Sequence, residues 1–189
     1  YTCDLFIVGP FNELAYAAAQ AVVKSPQSAY NPLFFYSSSG LGKTHLIQAI
    51  GNEMKRLFPE KRILYTTAEK FSNDYVSSVL NNRSLSFRDK YHKYDVLIID
   101  DIQFISGKEQ TQNELFHLFN TLYEQNKNIV FSSDKEAFMM LDVIIPAQSP
   151  QMVSLSVNVR EIRATAMFEY RVPGVAATCS DENFVTSYA

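Results

Sequence analysis

The chain has 189 residues, room for one large domain or for a domain with an appendage. With 47% hydrophobic and 20% charged residues it can bury a real core, which excludes a wholly disordered chain. Seventeen basic against twenty acidic residues give a net charge of −3, which argues against nucleic-acid binding by bulk charge and leaves room only for a local basic patch.

In chain order, the first 134 residues alternate helical and strand patterns, as an α/β protein does. Asn12 is placed to cap a helix through about Lys24, with Leu14, Ala17, Ala18 and Ala21 towards the core. Leu33-Phe34-Phe35-Tyr36 is a short apolar run of the kind buried on both faces of a sheet. A helix follows from Lys43, with Leu46, Ile47, Ile50, Met54 and Leu57 spaced three to four apart. Ile63 to Thr66 repeats the buried-strand pattern. Phe71, Tyr75, Val79 and Leu80 then mark a helix, Asn81-Asn82 a turn, and a charged helical stretch runs to about Tyr94. Val96 to Ile99 is a further buried strand. Glu109 to Asn126 is helical, with Leu115, Phe116, Leu118, Phe119 and Leu122 on one side, and Ile129 to Ser132 is a last buried strand.

After Asp134 the texture changes. Residues 135–189 hold seven valines in 55 positions against seven in the preceding 134, which places a boundary between a core of 1–134 and a divergent segment of 135–189. There Val153, Leu155, Val157 and Val159 alternate with polar residues, the period of a half-buried strand. Cys3 and Cys179 make no disulfide or metal framework and read as thiols of a reducing cytosol. No apolar run approaches the roughly 20 residues of a membrane span, and the N-terminus shows no secretion signal, so a cytoplasmic location is expected. The first residue is Tyr1 rather than Met, as expected of a piece of something longer.

The chemistry concentrates in Ser37-Ser38-Ser39-Gly40-Leu41-Gly42-Lys43-Thr44, between a predicted strand and a predicted helix. Small residues there let backbone N–H groups cradle phosphate oxygens. Lys43 is suited to reach the β- and γ-phosphates, and Thr44 to ligate Mg²⁺ through its hydroxyl. The phosphate-loop consensus is met at its last three positions but not its first, where Ser37 stands for glycine. A positive φ at that position would cost serine about 1 kcal/mol; any other φ makes the change harmless. A chance Gly-Lys-Thr at a helix start also fits these residues alone. The second element is Asp100-Asp101, closing the apolar run Val96 to Ile99, 56 residues beyond Thr44. An acid at such a strand end holds Mg²⁺ directly or through water, and the next can polarise an attacking water. Asp134, at the end of the last strand, reads on its own as a solvated strand end, with a sensor of the γ-phosphate as the alternative.

With these pieces in place, residues 1–134 resemble the AAA+ ATPase domain of the bacterial DnaA replication-initiator family. The resemblance rests on Phe6-Ile7-Val8-Gly9-Pro10-x-Asn12, Tyr30-Asn31-Pro32-Leu33, Ser39-Gly40-Leu41-Gly42-Lys43-Thr44-His45-Leu46, Asp95 to Phe104, Gly107-Lys108-Glu109-x-Thr111-Gln112 and Ser132-Ser133-Asp134. It implies a P-loop α/β sandwich around a parallel sheet. Ile7, Val8 and Asn12 would line an adenine pocket, Ser39 to His45 would hold the phosphates of ATP or ADP, and Thr44 with Asp100 would hold Mg²⁺. Asp100 and Asp101 would be the acidic pair and Asp134 a first sensor. The family's extra helix for filament assembly and single-strand DNA binding corresponds to about Ala68 to Tyr94. Nine of the 17 basic residues lie between Lys55 and Lys93, a distribution that a solvated helix face also explains. Val76 and Lys108 would contact single-stranded origin DNA, with Gln110 at a neighbouring position where the family often has Arg. After Asp134 the match collapses: the nearest echo of the family's arginine finger is Glu161-x-Arg163, and Arg160, Arg163 and Arg171 are its weakest candidates. No helical lid or helix-turn-helix domain is recognisable.

The expected function is the ATP-binding core of an initiator that assembles on origin DNA and opens the duplex, with ATP as an assembly switch and slow hydrolysis. A DnaA-like regulator or helicase loader, and a nucleotide-free interaction module with a disabled phosphate loop, are the alternatives.

Overall fold

The computed structural model describes residues 6–10, 12–26 and 30–134, together with the backbone of 152–157 and 163–169. Twelve elements follow in order: α1 (Glu13–Lys24), β1 (Leu33–Tyr36), α2 (Lys43–Leu57), β2 (Ile63–Thr67), α3 (Ala68–Leu80), α4 (Ser84–His92), β3 (Val96–Asp100), a 3₁₀ turn (Ile102–Ile105), α5 (Glu109–Glu124), β4 (Asn128–Ser133), β5 (Met152–Val157) and β6 (Arg163–Glu169). The strands form one sheet in the order β2-β3-β4-β1-β6-β5. The first four run parallel, with Tyr65 opposite Ile98, Ile99 opposite Phe131 and Tyr36 opposite Ser133. β6 joins the far edge of β1 antiparallel and β5 continues it.

Every residue of β1, β3 and β4 is buried, as their unbroken apolar runs require. Their side chains alternate between two cores. Phe34, Leu97, Ile99, Ile129 and Phe131 face the α3–α5 layer, and Leu33, Phe35, Val96, Ile98 and Val130 face α1 and α2. The result is a three-layer α/β sandwich. β2 departs from expectation: four of its five residues are only half-buried, because it is the sheet edge. α1 departs as well. Its buried face is Ala15, Ala18, Ala19, Val22 and Val23, whereas Leu14 and Ala17 are exposed and Ala21 is half-buried. A helix so rich in alanine has apolar positions on several faces, so packing against α2 rather than the sequence period selects the buried one. In α2, Leu46, Ile47, Ile50 and Met54 are buried as expected but Leu57, in the last turn, is exposed.

The insertion between β2 and β3 is the predicted helix, turn and helix. Thr67 caps α3 by accepting from the Lys70 N–H at 3.2 Å. Asn82 takes the turn with a left-handed φ of 56°, a conformation asparagine tolerates. Phe71, Phe87 and Tyr91 pack edge-on or tilted with centroids 4.7–5.4 Å apart and dock α4 on the body. The alternation at Val153–Val159 appears as the strand Met152–Val157, so Val159 lies outside the described residues. Arg163–Glu169, which holds most of the nearest echo of an arginine-finger segment, is a strand. Cys3, Cys179, Arg160 and Arg171 lie outside the described residues.

Candidate functional site

Parallel strands bring their carboxyl ends to one side of the sheet, where open α/β sheets bind ligands. β1 runs there into the phosphate loop, β3 into Asp100-Asp101 and β4 into Asp134, and β1 and β3 both flank β4. The loop leaves β1 alongside β4, the Ser37 N–H donating to the Ser133 carbonyl at 3.3 Å. Gly40 and Gly42 adopt φ of 85° and 89°, the left-handed region that turns the chain into α2. Ser37 is not among the positive-φ residues, so its replacement of the consensus glycine carries no backbone strain.

Lys43 is buried, and its ammonium donates to the carbonyls of Ser37 at 2.7 Å and Ser38 at 3.1 Å. Thr44, Ser39 and Gly40 are exposed at the mouth of the loop, and Leu41 and His45 are half-buried. The Phe6 ring covers this loop: its Cε2 would stand 3.2 Å from a Cβ on Gly42, and it stacks on Tyr16 and meets His45 edge-on. Ile7 is 87% exposed and Val8 is also exposed. Asn12 holds their segment, accepting from the Gly9 N–H at 2.7 Å and donating to the Ile7 carbonyl at 2.9 Å. Its side chain therefore binds outward, and it makes no hydrogen bond into α1, contrary to the capping expected of it.

Asp100 is only 2% exposed. The Tyr65 hydroxyl donates to one of its oxygens at 2.7 Å, and the Ser132 hydroxyl donates to the other. Burial first, then opposed by a hydrogen bond to Gln48 and reinforced by the Asp100 carboxylate, pushes the Tyr65 phenol up to about 12. Tyr65 thus remains a donor at neutral pH. Asp101 has a left-handed φ of 57°, its N–H donating to Ser132 Oγ at 3.0 Å. The Gln103 amide joins the two outer acids, donating to Asp101 Oδ1 at 3.2 Å and accepting from the Asp134 N–H at 3.3 Å. Asp134 itself is exposed. The exposed Thr44 hydroxyl and the Asp100 carboxylate are hard oxygen donors, which fit Mg²⁺ shared with phosphates and waters. Among the described residues no cluster of three or more His, Cys, Asp or Glu could hold a metal ion without a ligand's help.

Tyr65, Ser132, Gln103 and Phe6 enter the site without having been singled out from the sequence. Tyr65 and Ser132 lie inside strand patterns, where only the pairing register shows which acid they meet. On the insertion, Val76 is half exposed, and Lys108 is exposed at the start of α5, as is Gln110. Much of the basic stretch is neutralised internally: Arg56, Arg62, Arg88 and Lys90 pair with Glu53, Asp95, Glu114 and Asp74. Lys55 donates to the carbonyls of Pro59 and Lys61.

Residues 1–144 match the family described as the bacterial DnaA ATPase domain. The chromosomal replication initiator protein DnaA of Deinococcus radiodurans is 53% identical over 135 residues, 71% of this chain and 29% of that protein. Domain III of the Thermotoga maritima replication initiation protein DnaA superposes with a TM-score of 0.70 at 51% identity, covering 72% of this chain and 57% of that one. A replication initiator DnaA bound to AMPPCP and single-stranded DNA superposes with a TM-score of 0.68 at 45% identity, covering 71% and 42%. The matched span is under a third of the curated relative's length.

Proposed function

The chain belongs to the bacterial DnaA ATPase-domain family, and from that premise we propose that residues 1–134 are the ATP-binding core of a replication initiator. The observation that carries this reading is the phosphate loop itself. Two left-handed glycines open it, and Lys43 is already held at its centre by the Ser37 and Ser38 carbonyls. Backbone N–H groups of Ser39 to Thr44 bind the phosphates, and Lys43 exchanges its carbonyl partners for β- and γ-phosphate oxygens. Thr44 and Asp100 hold Mg²⁺, which when bound neutralises phosphate charge. Ile7, Val8 and Asn12 form the adenine side, and the exposure of Ile7 is relieved when a base covers it. Asp101 orients the attacking water and Asp134 reads the γ-phosphate, and slow hydrolysis resets the state.

The relative bound to AMPPCP and single-stranded DNA supports extending the reading to DNA. Single-stranded origin DNA lies along Val76 and Lys108, and ATP favours filament assembly in the full-length protein. With four of the nine clustered cations paired internally, the phosphate contacts are few and the salt dependence of binding is shallow. A cytoplasmic location follows from this role, and no helix among the described residues is long and apolar enough to cross a membrane. A regulator or loader is less favoured, since the relative matched at 53% identity is an initiator. A nucleotide-free module loses its support with the finding that Ser37 is unstrained.

Titration calorimetry with ATP, ADP and Mg²⁺ tests the reading. Micromolar or tighter binding is expected, weakened at least about 100-fold by Lys43→Ala through loss of a charge-assisted phosphate contact. No binding by a folded wild-type chain would overturn it.

A further inference from the structure

The more buried of the two acids, Asp100, is held by two neighbours to which the sequence reading assigned no role, Tyr65 and Ser132. Asp100 follows Ile98 by two residues on the same face of β3, and Ile98 is the register partner of Tyr65 on β2. The long Tyr65 side chain therefore spans one diagonal step of the sheet and reaches Asp100 Oδ2 at 2.7 Å. On the other side, Ser132 is the next residue after Phe131, which pairs with Ile99, so it stands directly beside Asp100 and donates to Oδ1. Ser132 Oγ also accepts the Asp101 N–H at 3.0 Å, which ties both acids to β4. The Gln48 side chain hydrogen-bonds the Tyr65 hydroxyl from α2, one turn beyond Thr44. Gln48, Tyr65, Asp100 and Ser132 thus form a polar chain across the phosphate-loop helix and three adjacent strands.

We infer that Tyr65 and Ser132 are positioning residues that fix the Asp100 carboxylate and thereby set the Mg²⁺ dependence of nucleotide binding. The inference rests on the nucleotide reading above. A carboxylate offers about four lone-pair sites, and two are taken, one on each oxygen. The remaining sites belong to an acid that can no longer rotate. Mg²⁺ requires near-octahedral geometry and retains several waters, so an immobile acceptor loses less freedom on binding it than a mobile one. Partners of this kind around a metal ligand typically change metal affinity 10–100-fold when removed. Tyr65 also lines an open cleft of 570 Å³ between α2 and β2, so deleting its hydroxyl leaves no sealed void.

The test is Tyr65→Phe in the whole 189-residue chain, with ADP titrated by calorimetry at a series of Mg²⁺ concentrations and in EDTA, and with melting as the check of folding. The expected result is a rise of about tenfold in the Mg²⁺ concentration giving half of the Mg²⁺-dependent gain in affinity, with affinity in EDTA kept within about twofold. An unchanged Mg²⁺ dependence would overturn the assignment. An equal loss of affinity with and without Mg²⁺ would also overturn it, by showing a structural role only. Should Tyr65→Phe not fold, Ser132→Ala is read by the same two criteria. A wild-type chain that binds ADP neither with Mg²⁺ nor in EDTA would overturn the nucleotide reading and this assignment together.

Discussion

The carboxyl ends of β3 and β4 and the α3–α4 hairpin solve the problem of polar residues in opposite ways. At the strand ends, Asp100, Asp101, Ser132 and Gln103 bond to one another, so the acids are fixed before any ligand arrives. On the hairpin, an aromatic cluster fastens the inner face, a carboxylate–guanidinium pair joins α4 to α5, and Val76, Val79, Leu80 and Leu85 are left exposed. The first arrangement suits chemistry that tolerates little movement. The second suits a surface that a partner covers.

The largest blow to the hairpin is Phe71→Ala. Phe71 is fully buried between Phe87 and Tyr91, and truncation is expected to cost about 3–5 kcal/mol in urea denaturation. Arg88→Ala comes next. It strips the bidentate partner, at 2.7 Å on both oxygens, from a Glu114 side chain that is 6% exposed. Because Arg88 itself is half in water, we expect about 1–3 kcal/mol rather than the full value for a buried pair. Glu114→Gln should cost less, since the guanidinium it releases reaches solvent. Equal losses in the two variants would show that the pair is not the joint we describe.

The strand ends are broken by alkali instead. The Tyr65 phenol is raised in the folded chain from 10.0 to about 12, so its contribution is complete below pH 10 and disappears as pH climbs from there through 12. Tyr91 is shifted in the same direction, by burial first and then by Asp74, so the hairpin shares this alkaline loss. Melting temperatures should fall above pH 10, and less steeply in Tyr65→Phe and in Tyr91→Phe. The smallest effect is reserved for Ser37→Gly. With no left-handed φ to relieve, nucleotide affinity should stay within about twofold of wild type, whereas Gly42→Ala should weaken it clearly through backbone strain of about 1–2 kcal/mol and the Phe6 ring.

The sequence by itself determined the α/β architecture, because unbroken apolar runs such as Val96 to Ile99 and three-to-four spacing such as Leu46 to Met54 leave a buried strand and an amphipathic helix few alternatives. It also placed Gly40 to Thr44 at a helix start and Asp100, Asp101 and Asp134 at strand ends, because local pattern defines those boundaries. Only the tertiary structure decided which face of the alanine-rich α1 is buried, and that β2 is an edge, for those depend on what packs alongside. It likewise decided which basic side chains of the insertion are already paired. The partners of Asp100 were equally invisible: Tyr65 and Ser132 are 35 and 32 residues away along the chain, and sheet order and register alone make them its neighbours. Local sequence specifies what a segment is, and hydrogen bonds across strands specify whom it meets.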